Sequence, residues 1–435
     1  MEEKKAQKGF NPYWLEQGYG SRFQVFQNLM QFRVRNILLV SSLYDLFLFE
    51  EDGRLYELLR EEYQGLNLSH APELYRVSSG EEAIRLAKQE KRFDLIITTL
   101  HIEDMSVHTF AKLVRELELN IPVVLLAYDQ RELSELLLYH DASAFDQVFV
   151  WQGDFRLIIG IIKYLEDKFN VDHDTRMVGV QSIILIEDRV QYYSSFLPII
   201  YLELFKQAQR LISEGINLSH KFLRMRARPK ILLCTNYEEA WDYFSKYKDF
   251  ILGVISDVDF MREGKDDPEA GLKFARAVKQ QHEDIPILLH SSKAENEKKA
   301  HAVGASFLLK DSPTLLNDLR QFMLDNFGFG DFVFRTKDGR EVGRAHDLHT
   351  LEEQLKVVPD ESIEYHSERN HFSKWLKART EFWLANKLRP RKLSDFSSVQ
   401  GLRELLISSL QEYRRVRQRG IINDFARDSF YPLTS

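Results

Sequence analysis

Ile251-Leu252-Gly253-Val254-Ile255-Ser256-Asp257-Val258-Asp259 is the stretch on which the fold turns. It opens as an apolar run and closes on two acids. Continuous apolar runs, unlike alternating ones, suit strands covered on both faces. Four more flank it, at 183–186, 231–234, 287–290 and 307–309. Helix-period stretches separate them, the pattern of repeated strand–helix units in a parallel, doubly wound sheet. Runs at 37–40, 95–98, 123–127 and 148–151 show the same order upstream.

An internal repeat ties the two sets together. Gly65-Leu66-Asn67-Leu68-Ser69-His70 returns 150 residues later as Gly215-Ile216-Asn217-Leu218-Ser219-His220. Ser79-Gly80-Glu81-Glu82-Ala83 returns 157 later as Asn236-Tyr237-Glu238-Glu239-Ala240, and Ile121-Pro122 returns 164 later as Ile285-Pro286. Three matches in one order, at slowly growing offsets, indicate a duplicated scaffold with small insertions. The expected fold class is therefore α/β, with two five-stranded, doubly wound, flavodoxin-like parallel-sheet domains at 34–169 and 180–325. Residues 1–33 read as an N-terminal extension with one short helix.

Beyond 328 the character changes. Asp338-Gly339, between the segments Phe332-Val333-Phe334-Arg335 and Glu341-Val342-Gly343-Arg344, signals a hairpin. Helical patterns follow at 349–357 and 370–388, the second ended by Arg389-Pro390. A small α+β module is expected over 329–388. A basic helical connector is expected over 389–435, with a helix at about 399–419 and linker from 421.

Composition bounds the function. Of 435 residues, 59 are basic and 66 acidic, and the net charge of −7 argues against a whole-chain polyanion binder. At 44% hydrophobic the chain can pack a core, which excludes wholesale disorder. One thiol, Cys234, cannot build a disulfide framework or a cysteine metal cage and suits a reducing compartment. The sequence has no long uncharged apolar stretch and no apolar signal core over residues 1–11. A cytoplasmic protein without membrane contact is the expectation.

In a doubly wound sheet the carboxyl ends of the strands meet at one edge. That edge would gather Glu187 and Asp188 from the first strand of the second set, Asp257 from the third, Ser291 from the fourth and Lys310 from the fifth. Clustered carboxylates repel, and a hard divalent cation such as Mg²⁺ relieves them. A carboxylate can itself be the nucleophile in phosphoryl transfer, with metal, ammonium and hydroxyl neutralising the transferring group. These residue types suit an aspartyl-phosphate site.

On these residues, 180–325 resembles the receiver domain of two-component response regulators. Phe307 matches the family's aromatic switch, and Gly271-Leu272 with Arg276 resemble the start of its third helix. The resemblance implies that Asp257 accepts phosphate from a histidine kinase or phosphotransfer protein. It implies that Asp188, Asp257 and the backbone carbonyl of Asp259 hold Mg²⁺, with Glu187 helping through water. Lys310 and Ser291 would contact the phosphoryl group. The loop 259–271 and the segment 192–228 are longer than the family pattern.

The first repeat resembles a pseudo-receiver. Ser41-Ser42 stand where the acidic pair should be, Thr99 where the acceptor should be, Ala127 at the hydroxyl position and Trp151 near the lysine position. No carboxylate is expected there to hold a metal. His101 and His108 read as loop residues. His346, His349, His366 and His371 match no ligand motif and read as solvent or capping histidines.

Residues 329–388 resemble a small αβ module found beside receiver or phosphoenolpyruvate-utilising domains. Arg389-Pro390-Arg391-Lys392-Leu393-Ser394-Asp395-Phe396 resembles the connector of phosphoenolpyruvate synthase and pyruvate phosphate dikinase-type proteins. That likeness implies regulation of an attached or partner enzyme of this type. From Lys374 to Gly420, twelve basic and four acidic residues give a net +8. Basic helices can bind phosphate backbones, but no helix-turn-helix pattern accompanies these, so docking on a protein surface ranks above DNA. The leading reading is a signalling protein with a phosphorylatable receiver, a degenerate receiver for interaction and a downstream protein target. A homodimer is left open. The rivals are an interaction module with both receivers silent and a DNA-binding response regulator.

Overall fold

The computed structural model describes residues 28–49, 55–66, 68, 70–128, 130–139, 142–213, 226–389 and 395–428. The helix expected before residue 28, the Gly215–His220 copy of the repeat and the last seven residues lie outside them. The described chain divides into two units. One comprises Phe32–Phe169 with Glu187–Glu203, and the other holds the remainder.

The first sheet is built from β1 (Asn36–Val40), β2 (Glu73–Val77), β3 (Leu95–Thr99), β4 (Val123–Ala127) and β5 (Gln147–Val150). Between and after them run α1 (Leu43–Phe49), α2 (Leu55–Gly65), α3 (Gly80–Glu90), α4 (Val107–Glu116), α5 (Gln130–Tyr139) and α6 (Arg156–Val178). The strands are parallel in the order β2-β1-β3-β4-β5. The apolar-run reading misses β2, because this edge strand, unlike its fully buried counterpart in the second sheet, is left partly exposed. Glu73, Leu74, Tyr75, Arg76 and Val77 are all at least partly exposed, so no unbroken apolar run marks them.

The second sheet repeats the plan. Its strands are β6 (Ser182–Ile186), β7 (Lys230–Cys234), β8 (Ile251–Asp257), β11 (Ile287–Ser291) and β12 (Ser306–Leu309), in the order β12-β11-β8-β6-β7. The intervening helices are α7 (Val190–Ser213), α8 (Tyr237–Tyr247), α9 (Ala270–Gln281) and α10 (Asn296–Ala302), and α11 (Leu315–Asn326) follows. Both sheets have the 2-1-3-4-5 order of flavodoxin-like folds. The repeated motifs occupy equivalent places. Ser79 caps α3 by accepting from the Glu82 N–H, as Asn236 caps α8 from Glu239. The Pro122 carbonyl accepts from Ile96 N, as Pro286 does from Val254 N.

The long segment 259–271 is a hairpin rather than a loop. Its strands, β9 (Phe260–Arg262) and β10 (Lys265–Asp267), pair antiparallel around Glu263-Gly264, whose φ angles are 52° and 72°. Two positive φ values make the tight turn that matches strand twist, which favours glycine at the second position. The hairpin is pinned to the start of α8 by an Asn236–Met261 bridge and by Glu263 N–H donating to Glu238 Oε1 at 2.9 Å. Much of the long 192–228 segment is α7, which continues through Pro198.

Beyond α11, β13 (Phe332–Arg335) and β14 (Glu341–Ala345) form the expected antiparallel hairpin. Then come α12 (Leu348–Val357), α13 (Asp360–Glu368), α14 (His371–Ala378), α15 (Phe382–Leu388) and α16 (Val399–Asp428). Three expectations are corrected here. The single helix expected at 370–388 is two, broken where Thr380 takes a φ of 62°. The short α13 was not foreseen. The linker expected from 421 is helical to Asp428, since Gly420 alone does not stop a helix.

Leu402, Leu406 and Leu410, one turn apart on α16, are buried in one core with Phe334, Leu355, Trp375 and Leu384. The helix thus belongs to the module and is not a detached connector. Two of its basic side chains, Arg403 and Arg414, turn toward the module, while Arg415 is exposed. Arg403 donates to the Val358 carbonyl at 2.8 Å and pairs with Asp360 at 2.5 Å. Arg414 pairs with Glu352 and Lys387 with Glu412, both at 2.5 Å. Leu406→Ala should cost about 2–5 kcal/mol in urea unfolding. A loss well under 1 kcal/mol would show that α16 does not complete this core. Among the described residues no helix is long and apolar enough to cross a membrane.

Candidate functional site

Four strands of the second sheet deliver side chains to its carboxyl edge. Glu187 and Asp188 directly continue β6. Asp257 ends β8, Ser291 ends β11 and Lys310 follows β12. Register fixes the neighbours, with Ile186 beside Ser256, His290 beside Asp257 and Ser291 beside Leu309.

Carboxylate oxygens of Glu187, Asp188 and Asp257 lie within 4.8 Å of one another. Glu187 and Asp257 are buried and Asp188 is partly exposed. Lys310 Nζ donates to Asp257 Oδ2 at 2.5 Å, and both groups are buried. Asp257 Oδ1 accepts from the Val258 N–H at 2.7 Å, and Glu187 Oε1 from the Arg189 N–H at 3.0 Å. Ser291 Oγ accepts from Asn296 Nδ2 at 3.0 Å and from the Lys293 N–H at 3.2 Å. The Asp259 carboxylate lies 3.9 Å from Lys293 Nζ. Phe307 is half-buried on β12 against the core of this sheet. The expected residues are thus brought to one edge.

With the acids ionised, three carboxylates against one ammonium leave two negative charges in a largely dry site. A divalent cation balances that sum, and an all-oxygen donor set suits a hard ion such as Mg²⁺.

Gly271 allows α9 to approach this edge. Its N–H donates to the Val258 carbonyl at 3.0 Å, and a Cβ there would lie 2.1 Å from the Asp257 carbonyl oxygen. Any side chain would push the helix off the loop that carries the acceptor.

Two residues of the site were not singled out from sequence. Asn296, at the start of α10, holds the Ser291 hydroxyl. His290 is buried with Nδ1 4.0 Å from Asp257 Oδ1. Burial first, and the Lys310 ammonium second, hold its imidazole well below the usual range. Its signal in the sequence was its place beside Ser291 on a covered strand.

The corresponding edge of the first sheet differs. Thr99 Oγ1 lies 3.2 Å from Ser41 Oγ and 3.0 Å from the His101 carbonyl. The Trp151 N–H donates to the Ala127 carbonyl at 2.7 Å. The expected absence of a carboxylate is corrected, because Asp45, on the first turn of α1, is buried here. It accepts from the His101 N–H at 3.3 Å, with His101 Nδ1 at the same distance. His101 is therefore tied into this edge, and His108 is buried within α4 rather than in a loop. Of the downstream histidines, His346 and His349 are exposed as expected. His366 is buried, with Nδ1 2.9 Å from His371 Nδ1.

No protein-family model matches the chain, and no curated protein matches it. Among solved structures, the chain is similar to one named as a two-component system response regulator/GGDEF domain protein. The two share 16% identity, the match covers 67% of this chain and 98% of that one, and the TM-score is 0.29. It is also similar to the signal receiver domain of a protein named as a LuxO repressor from Vibrio parahaemolyticus. There the identity is 19%, the coverage 33% and 95%, and the TM-score 0.24. A third is the phosphorylated cyanobacterial phytochrome response regulator RcpA, at 20% identity, with 32% of this chain and 96% of that one covered and a TM-score of 0.24.

Proposed function

We propose that the second sheet domain is a phosphorylatable receiver with Asp257 as its acceptor. The observation that carries this reading is the trio Glu187, Asp188 and Asp257 within 4.8 Å, with Lys310 Nζ 2.5 Å from the central carboxylate. An Asp257 carboxylate oxygen forms a bond to phosphorus as the donor's bond to that phosphorus breaks. With a histidine kinase or phosphotransfer protein as donor, the broken bond is P–N and the imidazole leaves with its electron pair. Lys310 swings its ammonium from the free carboxylate to a phosphoryl oxygen, and Ser291 donates its hydroxyl to another. Glu187, Asp188 and Asp257 would hold Mg²⁺ together with the Asp259 carbonyl. The ion supplies charge neutralisation for the incoming phosphoryl group.

The first sheet domain is a degenerate receiver that serves interaction. It offers Asp45 and His101 where the second offers three acids. The connector-like run at 389–396 supports a phosphoenolpyruvate-utilising enzyme as the regulated partner. Arg403 and Arg414, taken up in ion pairs within the C-terminal module, favour a protein target over DNA. Asp188 is the partly exposed member of the trio, so Asp188→Asn should remove a ligand without burying a new defect. Calorimetric titration with MgCl₂ is expected to show weakening of about tenfold or more, equivalent to 1.4 kcal/mol. Unchanged Mg²⁺ affinity would favour the rival reading, a silent interaction module.

A further inference from the structure

At the opposite edge of the second sheet, before β8 and β11, lies an open groove of about 1680 Å³. It is bordered by the end of α9 and by residues of α13, α14 and α15 and the segments that join or follow them. Cations crowd it, and their hydrogen bonds go largely to neutral main-chain oxygens. Lys374 Nζ donates to the Arg369 carbonyl at 3.1 Å and Lys279 Nζ to the Glu283 carbonyl at 2.9 Å. Beneath them Lys377 Nζ donates to the Asp249 carbonyl at 3.1 Å, which Arg389 also reaches at 3.3 Å. Arg276 and Arg369 stand exposed on the rim.

Carboxylates do not fully offset them. Asp284 is the acid set among the cations, 3.8 Å from Arg389 and already accepting from Asn370 Nδ2 at 2.9 Å. Asp249, Glu283 and Glu368 line the outer parts and are exposed. Burial pushes Lys374 down to about 8, with Lys279 and Arg389 adding to the drop and Asp284 opposing it. Burial likewise pushes Lys377 down to about 7, with Arg389 and Lys374 adding and Asp284 and Asp249 opposing. A crowd of partly desolvated cations facing neutral carbonyls gains from an incoming anion.

A neutral donor is also set in place. The Arg335 N–H donates to His366 Nε2 at 2.8 Å, so the proton of neutral His366 sits on Nδ1 and points to His371 Nδ1. Neutral His371, which lines the groove, therefore carries its own proton on Nε2.

We propose that this groove binds a small phosphorylated anion, held by Lys374, Arg389 and Arg276 with His371 Nε2–H as a further donor. Guanidinium and ammonium groups together suit a multiply charged tetrahedral oxyanion better than a single carboxylate. The volume leaves room for an organic body beyond the phosphoryl group. The site is separate from the Asp257 edge and does not depend on phosphorylation there.

Calorimetry on the full chain in metal-free buffer, with inorganic pyrophosphate as the probe, tests this. Saturable binding of one probe per chain is expected, weakened about tenfold or more by Lys374→Met and by Arg276→Ala. The remote exposed variant Lys337→Met should leave it unchanged. Arg276 is on the rim, so its variant carries the test if Lys374→Met does not fold. Sulfate, which does not titrate here, should bind with proton uptake at pH 8 and little at pH 6, because the anion raises lysines that burial had lowered. Absence of saturable binding at millimolar probe, affinity unchanged in Arg276→Ala, or sulfate binding at pH 8 without proton uptake would each overturn the proposal.

Discussion

Asp257→Asn is expected to abolish phosphoryl labelling of the chain by acetyl phosphate and Mg²⁺, from one modified site per chain to none. The amide keeps the shape and can still accept from Lys310 Nζ, which lies 2.5 Å from Oδ2 in the native chain. It lacks the anionic oxygen that attacks phosphorus, and it removes one of the three charges that draw the metal. Phosphoryl transfer rests on positioning and charge neutralisation, so the loss should be complete rather than partial. The reciprocal change, Thr99→Asp, should not create a second site. Thr99 sits beside Ser41 and the His101 carbonyl, and the Asp45 carboxylate at this edge is already engaged by His101. Labelling of Asp257→Asn at the native level, or a second phosphate in Thr99→Asp, would refute the assignment of the acceptor.

Gly271→Ala should destabilise the second sheet domain by about 2–4 kcal/mol and depress labelling with it. The added methyl would stand 2.1 Å from the Asp257 carbonyl oxygen and 2.9 Å from Val258 Cα, both backbone atoms that cannot rotate away. Either α9 retreats and loses the Gly271–Val258 hydrogen bond, or the acceptor loop shifts and carries Asp257 with it. Gly264→Ala is the useful contrast. Its φ of 72° imposes strain, but nothing lies within 4 Å of the new methyl, so a cost of only about 1 kcal/mol is expected. Urea unfolding of both variants separates the two causes. A Gly271→Ala loss no larger than that of Gly264→Ala would contradict the close approach described here.

Much of this architecture is legible in the sequence because buried parallel strands must be apolar throughout. The runs at 251–256 and 183–186 can hardly be read otherwise, and acids placed where such runs end stand out. The internal repeat helped for a physical reason. Ser79 and Asn236 recur because each caps the helix that follows the second strand of its domain, and Pro122 and Pro286 because each carbonyl receives the neighbouring strand. Features that depend on partial burial or on tertiary approach were harder to see. Strand β2 is nowhere fully covered and has no continuous run. The break at Thr380 lies between two apolar helical stretches whose periods join smoothly. Asp45 was passed over because it lies one helical turn beyond the position where the family carries its acids. A helix brings it back to the edge that Ser41 and Ser42 leave without charge. His290 needed the register against Asp257, which one sequence does not supply.

The most direct test is tryptic mass spectrometry of the full chain after incubation with acetyl phosphate and Mg²⁺. One phosphate is predicted, on the peptide that carries Asp257, and none on peptides from residues 34–169. Phosphate on the first domain, or an unmodified chain that nonetheless binds Mg²⁺, would contradict the account.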